Sequence, residues 1–362
     1  MKRSTLAAAS VAALALAVPT AGANAAPAPA ADRAPGAQVV ATGLLSPLSL
    51  GVKSNGTAYV AQNFAGQLMK VKKGKKPVVV AKAMKGREIG AVDVTDNVIT
   101  YAVSWGENEG GIVRQIRKGK TRTIGDIGAA ERATNPDGGT TYGLQDLPED
   151  CQVPPFLQEY QGVTETHPYA TAVSGSTVYV ADAGANAVFK IAGGEVTPVA
   201  PLPPVEVVVP AEAAAALELP DCVVGRTMAL EGVPTDIEVG PDGDLYVTSL
   251  PGGPEDGSLG ANGAVHRIDP ATGEVTPVAT GFLSTTGVAV ARNGDVYVTE
   301  LFTGRIMKVL AGTSTPQLFR KAAMPAALEL KGGSLWATTN AMTGMSGEPG
   351  DVPKGKVMRF GL

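Results

Sequence analysis

Hydrophobic and polar residues alternate in four short runs between residues 232 and 281, and turn-forming residues separate the runs. The runs cover residues 235–239, 244–248, 263–268 and 274–280. The dipeptides Asp242-Gly243 and Thr272-Gly273 lie in two of the separators. Alternation with a period of two, interrupted by such turns, is typical of antiparallel strands joined by hairpins. Four strands in about 45 residues predict one blade of a β-propeller.

The same pattern recurs along the chain, and the third strand of the unit is the easiest to count. It occurs at residues 66–71, 111–116, 186–191, 263–268, 304–309 and 355–360. The second strand gives similar copies at 57–61, 177–181, 244–248 and 295–299, a looser one at 334–338, and a divergent one around 98–103. The repeats therefore predict six blades.

The chain ends after a third strand, so the sixth repeat lacks its fourth strand. Residues 38–43 (QVVATG) match residues 276–281 (TPVATG), which end a fourth strand. A strand from the N-terminus would complete the last blade and pair with the otherwise open edge of its third strand. The predicted fold is therefore all-β, a six-bladed β-propeller closed by an N-terminal strand that completes the last blade.

Four inserts interrupt the repeats, at residues 128–165, 201–231, 250–262 and 341–354. Within the second, residues 210–219 begin with a proline, are rich in alanine and precede Pro220, which predicts a short helix. Loops of this length are usually functional or disordered.

The first 25 residues have the features of a secretory signal peptide: Lys2 and Arg3, a hydrophobic stretch over 6–18, and an Ala-Asn-Ala site at 23–25. Residues 26–36 read as a flexible Pro/Ala-rich leader, and residues 37–362 as the propeller with its inserts. The interpretation is a secreted protein, extracellular or in the periplasm or cell envelope, without membrane insertion. Cleavage would remove two of the positive charges, taking the formal charge from −4 to −4 − 2 = −6. An acidic chain without a basic stripe disfavours nucleic acid as a partner, and we expect a monomer.

The two cysteines, Cys151 and Cys222, lie one in each of the two largest inserts. An even pair in an exported protein predicts a disulfide. Two separate buried thiols are the alternative.

Candidate binding residues cluster where the inserts meet the inner strands. His167 and Tyr169 open the third inner strand at a position that is apolar or small in the other repeats. Asp137 belongs to the Asn-Pro-Asp-Gly turn in the insert before them, and Thr235 and Asp236 open the next inner strand. We therefore predict a binding surface between the third and fourth blades. The alternatives are that His167 and Tyr169 form a hydrogen-bonded structural pair and that these loops merely plug the channel.

Other polar residues carry weaker signals. Four carboxylates lie on inner strands, at Asp93, Asp236, Glu238 and Glu329. They suit a cation, but the aligned mouth positions do not supply a ring of oxygen ligands. His266 takes a third-strand position that is Met or Phe in other repeats, which favours a packed residue. The sequence contains no zinc-ligand spacing, nucleophile elbow, P-loop or EF-hand loop, and we predict no catalytic residues, cofactor or metal.

Several motifs resemble the ScyD/ScyE family of exported bacterial propellers, within the NHL-repeat-like group. They are VVATGL at 39–44, NPDG at 135–138, HPY at 167–169, VYVADAGANA at 178–187, VPT at 233–235 and GPDG at 240–243. The resemblance implies export and a propeller fold over nearly all of residues 38–362, and it assigns no activity. The family usually has Asn-Pro-Tyr where this chain has His167-Pro168-Tyr169, so no role for His167 carries over.

The expected function is binding of a small ligand or protein partner at the insert-bearing mouth of the channel, without catalysis. A hydrolase or lyase with an unrecognised channel site is the alternative, and a structural role at the cell surface is a third. Gluconolactonase-like propellers use metal-binding Glu, Asn and Asp residues, and streptogramin-lyase-like propellers use paired His and Glu. The sequence has only two histidines, His167 and His266, and His266 takes an ordinary third-strand position, which disfavours both enzymes.

Overall fold

The computed structural model describes residues 36–254, 257–346 and 348–362. The predicted signal peptide and nearly all of the leader lie outside these residues. None of the helices in the described ranges is long and apolar enough to cross a membrane.

The described residues are mostly β-strand. In the first half of the chain the strands are β1 (Ala37–Leu44), β2 (Pro47–Val52), β3 (Ala58–Gln62), β4 (Gln67–Val71), β5 (Val78–Lys82), β6 (Arg87–Glu88), β7 (Val92–Thr95), β8 (Val98–Trp105), β9 (Gly110–Arg117), β10 (Lys120–Asp126), β11 (Thr141–Leu144), β12 (Tyr160–Gln161), β13 (Pro168–Ser174), β14 (Thr177–Asp182), β15 (Ala187–Ala192) and β16 (Glu195–Pro201). In the second half they are β17 (Val205–Val208), β18 (Thr227–Leu230), β19 (Pro234–Val239), β20 (Leu245–Ser249), β21 (Gly263–Ile268), β22 (Val275–Phe282), β23 (Thr285–Val290), β24 (Val296–Glu300), β25 (Arg305–Val309), β26 (Gln317–Lys321), β27 (Leu328–Lys331), β28 (Ser334–Thr339) and β29 (Gly355–Gly361). The α-helices are α1 (Ile127–Thr134) and α2 (Ala211–Ala216).

Each repeat folds into its own antiparallel sheet, in which consecutive strands run from the centre of the molecule outwards. The innermost strands contact one another in the order β2, β7, β13, β19, β23, β27 and back to β2. This closed contact path is the ring of a β-propeller. In the second repeat the inner strand is split into β6 and β7, and both pair with β8.

The N-terminal strand closes the ring as predicted. β1 pairs antiparallel with β29, so that Ala37 faces Phe360 and Val39 faces Met358. The sheet order is β1-β29-β28-β27, with the N-terminal strand outermost. Strand β1 therefore takes the place of the fourth strand that the last repeat lacks.

The hydrophobic core lies between neighbouring sheets. Alternate strand residues point to opposite faces, so each sheet contributes one row of side chains to each neighbour. Ala181 and Val188 of the third repeat, for example, pack in one cluster with Ile237 and Val247 of the fourth. Small and branched side chains fit this narrow space, which explains why a chain with few aromatic residues forms it.

The two largest inserts, which the predicted disulfide was expected to hold together, share one sheet that the sequence did not predict. β11 and β12 come from residues 128–165, and β17 and β18 come from residues 201–231. They form one four-stranded sheet in the order β12-β11-β18-β17. We call residues 135–165 and 202–231 the cap. It has its own hydrophobic cluster, which includes Leu144, Val153, Val207, Val223 and Met228.

Cys151 and Cys222 form a disulfide within the cap, which confirms the predicted bridge. The predicted helix in the second insert is also present, as α2. Helix α1 was not predicted. Asp126 caps its N-terminus by accepting a hydrogen bond from the Ala129 N–H at 2.9 Å, so the preceding strand ends at Asp126 and the helix begins at Ile127.

All four inserts leave the propeller at the same end. Within a sheet the first and third strands run away from the end where the inner strand begins, and the second and fourth return to it. Connections from the second to the third strand and from one sheet to the next therefore share that end. We call it the insert-bearing face.

Candidate functional site

The channel mouth at the insert-bearing face is filled with apolar side chains. Leu48, Tyr169, Leu301 and Ala326 come from different repeats and pack in one cluster, and each is almost fully buried. Three of them occupy the aligned position near the start of an inner strand. Because these side chains fill the mouth, the channel below is shielded on this side.

Below the mouth, four inner-strand carboxylates line one cavity together with Ser49 and Thr171. Asp93 of β7, Glu238 of β19 and Glu329 of β27 lie at the same level of the ring. Asp236 lies two residues before Glu238 on β19 and is therefore closer to the mouth. The strands between those three carry Gly51, Ala172 and Ala289 at this level. Acidic and small residues therefore alternate around the ring, and the cavity they leave has room for about one water molecule.

Burial raises the pKa values of all four carboxyl groups. The pKa of Asp93 is about 6 and that of Asp236 about 7, mainly because protein surrounds both groups. For Glu238 the negative charges of Glu329, Asp236 and Asp93 raise the pKa further. Burial raises the pKa of Glu329 to about 8, although Lys331, 3.5 Å from its carboxylate, opposes the shift. At neutral pH the carboxyl groups of the channel are therefore partly protonated.

Because these pKa values are raised, we expect the four carboxyl groups to lower the free energy of unfolding as the pH rises. The folded state binds more protons than the unfolded state above pH ~4.5, so the contribution of these groups falls from pH 5 to pH 8. The Glu238→Gln variant is expected to be more stable than the wild type by ~1–2 kcal/mol at pH 8, with a smaller difference at pH 5. Urea unfolding at both pH values measures this.

Glu274→Gln, which alters an exposed carboxylate, is the matched control and should change stability equally little at both pH values. A Glu238→Gln variant that is less stable than the wild type at pH 8 would contradict the prediction.

His167 lies at the rim of the insert-bearing face, between the second and third repeats. Its Nδ1 is 3.0 Å from Asn108 Oδ1, and its Nε2 is 3.4 Å from a carboxylate oxygen of Glu88. The Asn108 amide nitrogen donates to Glu165 at 2.8 Å. Glu88, the last residue of β6, and His167, just before β13, occupy equivalent positions in adjacent repeats. The tertiary structure thus pairs His167 with Glu88 of the preceding repeat, and Asn108 links the same histidine to Glu165, its neighbour in the local Glu165-Thr166-His167 sequence.

The other predicted site residues lie in different surroundings. Asp137 is fully buried in the cap, where one carboxylate oxygen accepts hydrogen bonds from Tyr142 at 3.1 Å and Asn186 at 2.9 Å. Thr235 is buried, and its hydroxyl lies 3.0 Å from the Thr285 carbonyl oxygen. Asp236 accepts from the Val288 N–H at 2.8 Å within the channel.

The five predicted residues therefore do not converge on one open pocket. Asp137 and His167 are both hydrogen-bonded to the segment that leads from β14 to β15. Asp182 accepts from the His167 N–H, and Asn186 donates to Asp137. Tyr169 belongs to the apolar cluster that fills the mouth.

Comparisons with known proteins agree with this architecture. Virginiamycin B lyase from Staphylococcus aureus superposes with a TM-score of 0.51 at 13% identity, covering 90% of this chain and 98% of the lyase. Aldose sugar dehydrogenase from Streptomyces coelicolor, in its PQQ-bound form, gives 0.53 at 12% identity, with 89% and 96% covered. A gluconolactonase from Xanthomonas campestris gives 0.52 at 9% identity, with 90% and 89% covered.

The fold is that of a β-propeller. At these identities the likeness extends to the fold alone. No family model matches the sequence, and no curated protein matches it either.

The propeller also carries buried polar residues that sequence reasoning passed over. They are Glu131 of α1, Asp182 at the end of β14, and Glu231 just before β19, and each is at least nine-tenths buried. Glu131 has a detectable signal, since it lies on the same side of α1 as the buried Ile127 and Gly128. Asp182 lies at the end of a strand and Glu231 in a connection, and a charged residue at such a position is usually exposed. The sequence therefore did not indicate that either residue is buried.

His266 is a packed strand residue, as predicted. It is 6% exposed, and neither ring nitrogen has a hydrogen-bond partner among the described residues. Burial lowers the pKa of His266 to about 4. The ring is therefore neutral in the folded state. Its two nitrogens lose their hydrogen bonds to water on folding and gain no partner among the described residues.

Replacing His266 with Met, the residue at the same position in three other repeats, is expected to stabilise the protein. At neutral pH we expect a gain of ~1–2 kcal/mol, since an unpaired buried polar group is removed. Between pH 6.5 and pH 4 the unfolded chain protonates His266 while the folded chain does not, so the wild type loses stability as the pH falls. The advantage of His266→Met should grow by ~2 kcal/mol at pH 5. Urea unfolding at pH 5 and pH 7.5 measures both effects, and a variant that is less stable at both would refute this account.

Proposed function

We propose that this protein is an exported, non-catalytic binding protein whose partner is another protein that docks on the insert-bearing face. One observation carries the proposal: nine of the fourteen exposed large apolar side chains in the described residues belong to segments at this face. The nine are Phe64, Met84, Phe156, Val208, Leu217, Val224, Phe302, Met324 and Val352.

The physical argument rests on where an apolar surface is tolerated. Exposed apolar side chains that concentrate on one side mark an interaction surface, whereas scattered ones need no explanation. Phe302, 48% exposed, and Phe64, 38% exposed, lie in equivalent turns after the second strand of their repeats. The cap adds Phe156 and Val208, which are 49% and 65% exposed. Aromatic side chains of this kind are enriched at the centres of protein interfaces.

The channel favours a protein partner over a small ligand. A small-molecule pocket usually has a volume of roughly 300–1,000 Å³, whereas the channel cavity has room for about one water molecule. The apolar cluster at the mouth also separates that cavity from the insert-bearing face. Of the predicted binding residues, His167 at the rim is the one placed to contact such a partner, beside Glu88 and Asn108.

Membership of the ScyD/ScyE family, secretion and a monomeric state belong to the same proposal. Support for export comes from the signal-peptide features of residues 1–25 and from the Cys151–Cys222 disulfide, because disulfides persist mainly outside the reducing cytosol.

Site-specific photocrosslinking in the producing organism tests where the partner docks. A photoreactive amino acid is placed at Phe302 or Phe156, and at Val78 or Leu318 as matched controls. The controls are exposed apolar residues on outer strands away from the insert-bearing face. We expect one discrete adduct from the first pair and none from the controls, and ~10-fold weaker binding of the identified partner by Phe302→Asp. Equal crosslinking at all four positions, or none, would contradict the proposal.

The pairing of His167 with Glu88 supports a second candidate, a hydrolase or lyase. A histidine held by a carboxylate is a general-base arrangement, and it lies at the rim of the insert-bearing face. The purified protein is assayed against lactones and esters, with His167→Ala and Glu88→Gln as variants. Turnover that both variants abolish, with the fold intact, would replace the binding proposal with this one.

A further inference from the structure

We infer that the junction between α1 and the turn joining β14 to β15 is a binding site for a single calcium ion. Glu131, Asn135, Asp137 and Asn186 supply the ligands, and all of them are oxygen atoms. The site lies outside the channel, and it is independent of the protein-binding surface proposed above.

The first observation is an excess of acceptors over donors. Both carboxylate oxygens of Glu131 and one oxygen each of Asn135, Asp137 and Asn186 are buried without a hydrogen-bond partner. Each donor atom of the same groups already has an acceptor. The Asn135 amide nitrogen donates to the Gly162 carbonyl at 3.2 Å, and the Asn186 amide nitrogen and the Tyr142 hydroxyl donate to Asp137. By hydrogen-bond geometry five acceptor oxygens therefore remain unpartnered, although the backbone of Glu165 lies close to the Glu131 carboxylate.

The second observation is the depth of burial. Glu131 and Asp137 are 0% exposed, and Asn186 is 2% exposed. Buried acceptors of this kind cost stability unless they are satisfied. Two fully buried carboxylates are costlier still unless they are paired with a positive charge or neutralised.

The third observation is that the protein offers these carboxylates no positive charge. None of the ion pairs among the described residues includes Glu131, Asp137 or the nearby Glu231. Arg132, the residue next to Glu131, donates instead to the Glu109 carbonyl at 3.1 Å. Among the described residues, Glu131 and Asp137 therefore have no cationic partner.

The path of the chain brings these four residues into one region of the fold. Glu131 and Asn135 are one helical turn apart, and Asn135 caps the C-terminus of α1 in the left-handed conformation. Asp137 follows two residues later, and the Asn186 side chain is bonded to it at 2.9 Å. Gly162 allows the close approach: a Cβ atom there would lie 2.5 Å from the unpartnered oxygen of Asp137.

The chemistry of the donors selects calcium. Carboxylate and amide oxygens without nitrogen or sulfur suit a hard divalent cation, and calcium accepts more ligands and less regular geometry than magnesium. No group of three His, Cys, Asp or Glu side chains in the described ranges is placed to hold a metal, so the two amide oxygens are essential to this site. A bound ion would fix the start of the cap to the third repeat.

The test is calorimetric titration of calcium into the full-length mature protein after chelator treatment, with thermal unfolding in parallel. We expect one ion per chain and a midpoint raised by about 3–6 °C at saturation, with a smaller effect from magnesium. Glu131→Gln and Asp137→Asn should each weaken binding at least ~10-fold. Glu300→Gln, which alters a buried carboxylate of the fifth repeat, is the matched control and should bind calcium like the wild type.

Terbium luminescence provides a readout that survives if the ligand variants do not fold. Tyr142 contacts Asp137, so it should sensitise terbium bound to the wild-type protein, and Tyr142→Phe should reduce the emission while leaving calcium affinity within ~3-fold. No stoichiometric calcium binding by the wild type would overturn the inference in favour of a proton on Glu131 or bound water. Unchanged binding by both Glu131→Gln and Asp137→Asn would also overturn it.

Discussion

Deletion of residues 38–43 is expected to destabilise the whole propeller. The deletion removes most of β1, including Val40 and Ala41, which are buried against the first and last repeats. It also leaves β29 as an open edge, which favours aggregation. The buried side chains alone contribute roughly 3 kcal/mol, and the lost contact between the ends of the ring adds to this because repeat stability depends on neighbours. We expect a loss of at least ~4 kcal/mol in the free energy of unfolding.

Thermal and urea unfolding of the mature protein measure this loss. Deletion of residues 26–36, which removes only the leader, is the control and should leave the midpoint unchanged. A second pair covers the case in which the deletion prevents folding: Val40→Asp should destabilise strongly, whereas Val78→Asp, at a 58% exposed position, should have little effect. Equal midpoints for the two deletions would refute the role of β1 in closing the ring.

Removal of the Cys151–Cys222 disulfide is expected to loosen the cap without opening the propeller. The bridge joins residues 71 apart, for which the chain-entropy model gives ~4 kcal/mol at most. The two inserts also meet through the pairing of β11 with β18 and through the cap's small core. Two further hydrogen bonds join them, from the Gln145 N–H to the Thr227 carbonyl and from the Tyr160 hydroxyl to Glu231. The ring sheets are built from other segments, so the loss should remain local.

Hydrogen exchange of the Cys151→Ser/Cys222→Ser variant measures the effect segment by segment. We expect faster exchange in β11 and β18 and unchanged exchange in β20 and β21, which lie in a ring sheet. Mass measurement after alkylation of the unreduced wild type should show no free thiol. Two alkylated cysteines, or an equal rise in exchange throughout the chain, would contradict the prediction.

Short-range sequence patterns were enough to predict the propeller and its closure. Each strand of a blade packs against neighbouring blades on its two faces, and a short turn joins it to the next strand. The alternation of its side chains and its Asp-Gly or Asn-Gly turns are therefore visible in consecutive residues. The match between residues 38–43 and 276–281 identified β1 as a fourth strand, because each blade needs the same four strands in the same order. The disulfide followed from the predicted export of the chain and from the placement of one cysteine in each large insert.

The candidate site was predicted less well, because its parts are brought together only by tertiary packing. Tyr169 opens an inner strand as expected, but its ring fills the channel mouth with Leu48, Leu301 and Ala326. No local pattern shows which side chains meet on the axis of a ring.

The sequence by itself therefore determined the strands, the repeat, the closing strand and the disulfide, since each depends on residues close in the chain or on an unambiguous pairing. Only the tertiary structure decided that the two inserts share one sheet, that Glu88 faces His167, and that Glu131 is buried beside Asp137. Those contacts join segments that are distant in the sequence, and the pattern of one segment does not indicate its partner. Their electrostatic consequences arise from burial, which only the assembled ring and cap provide.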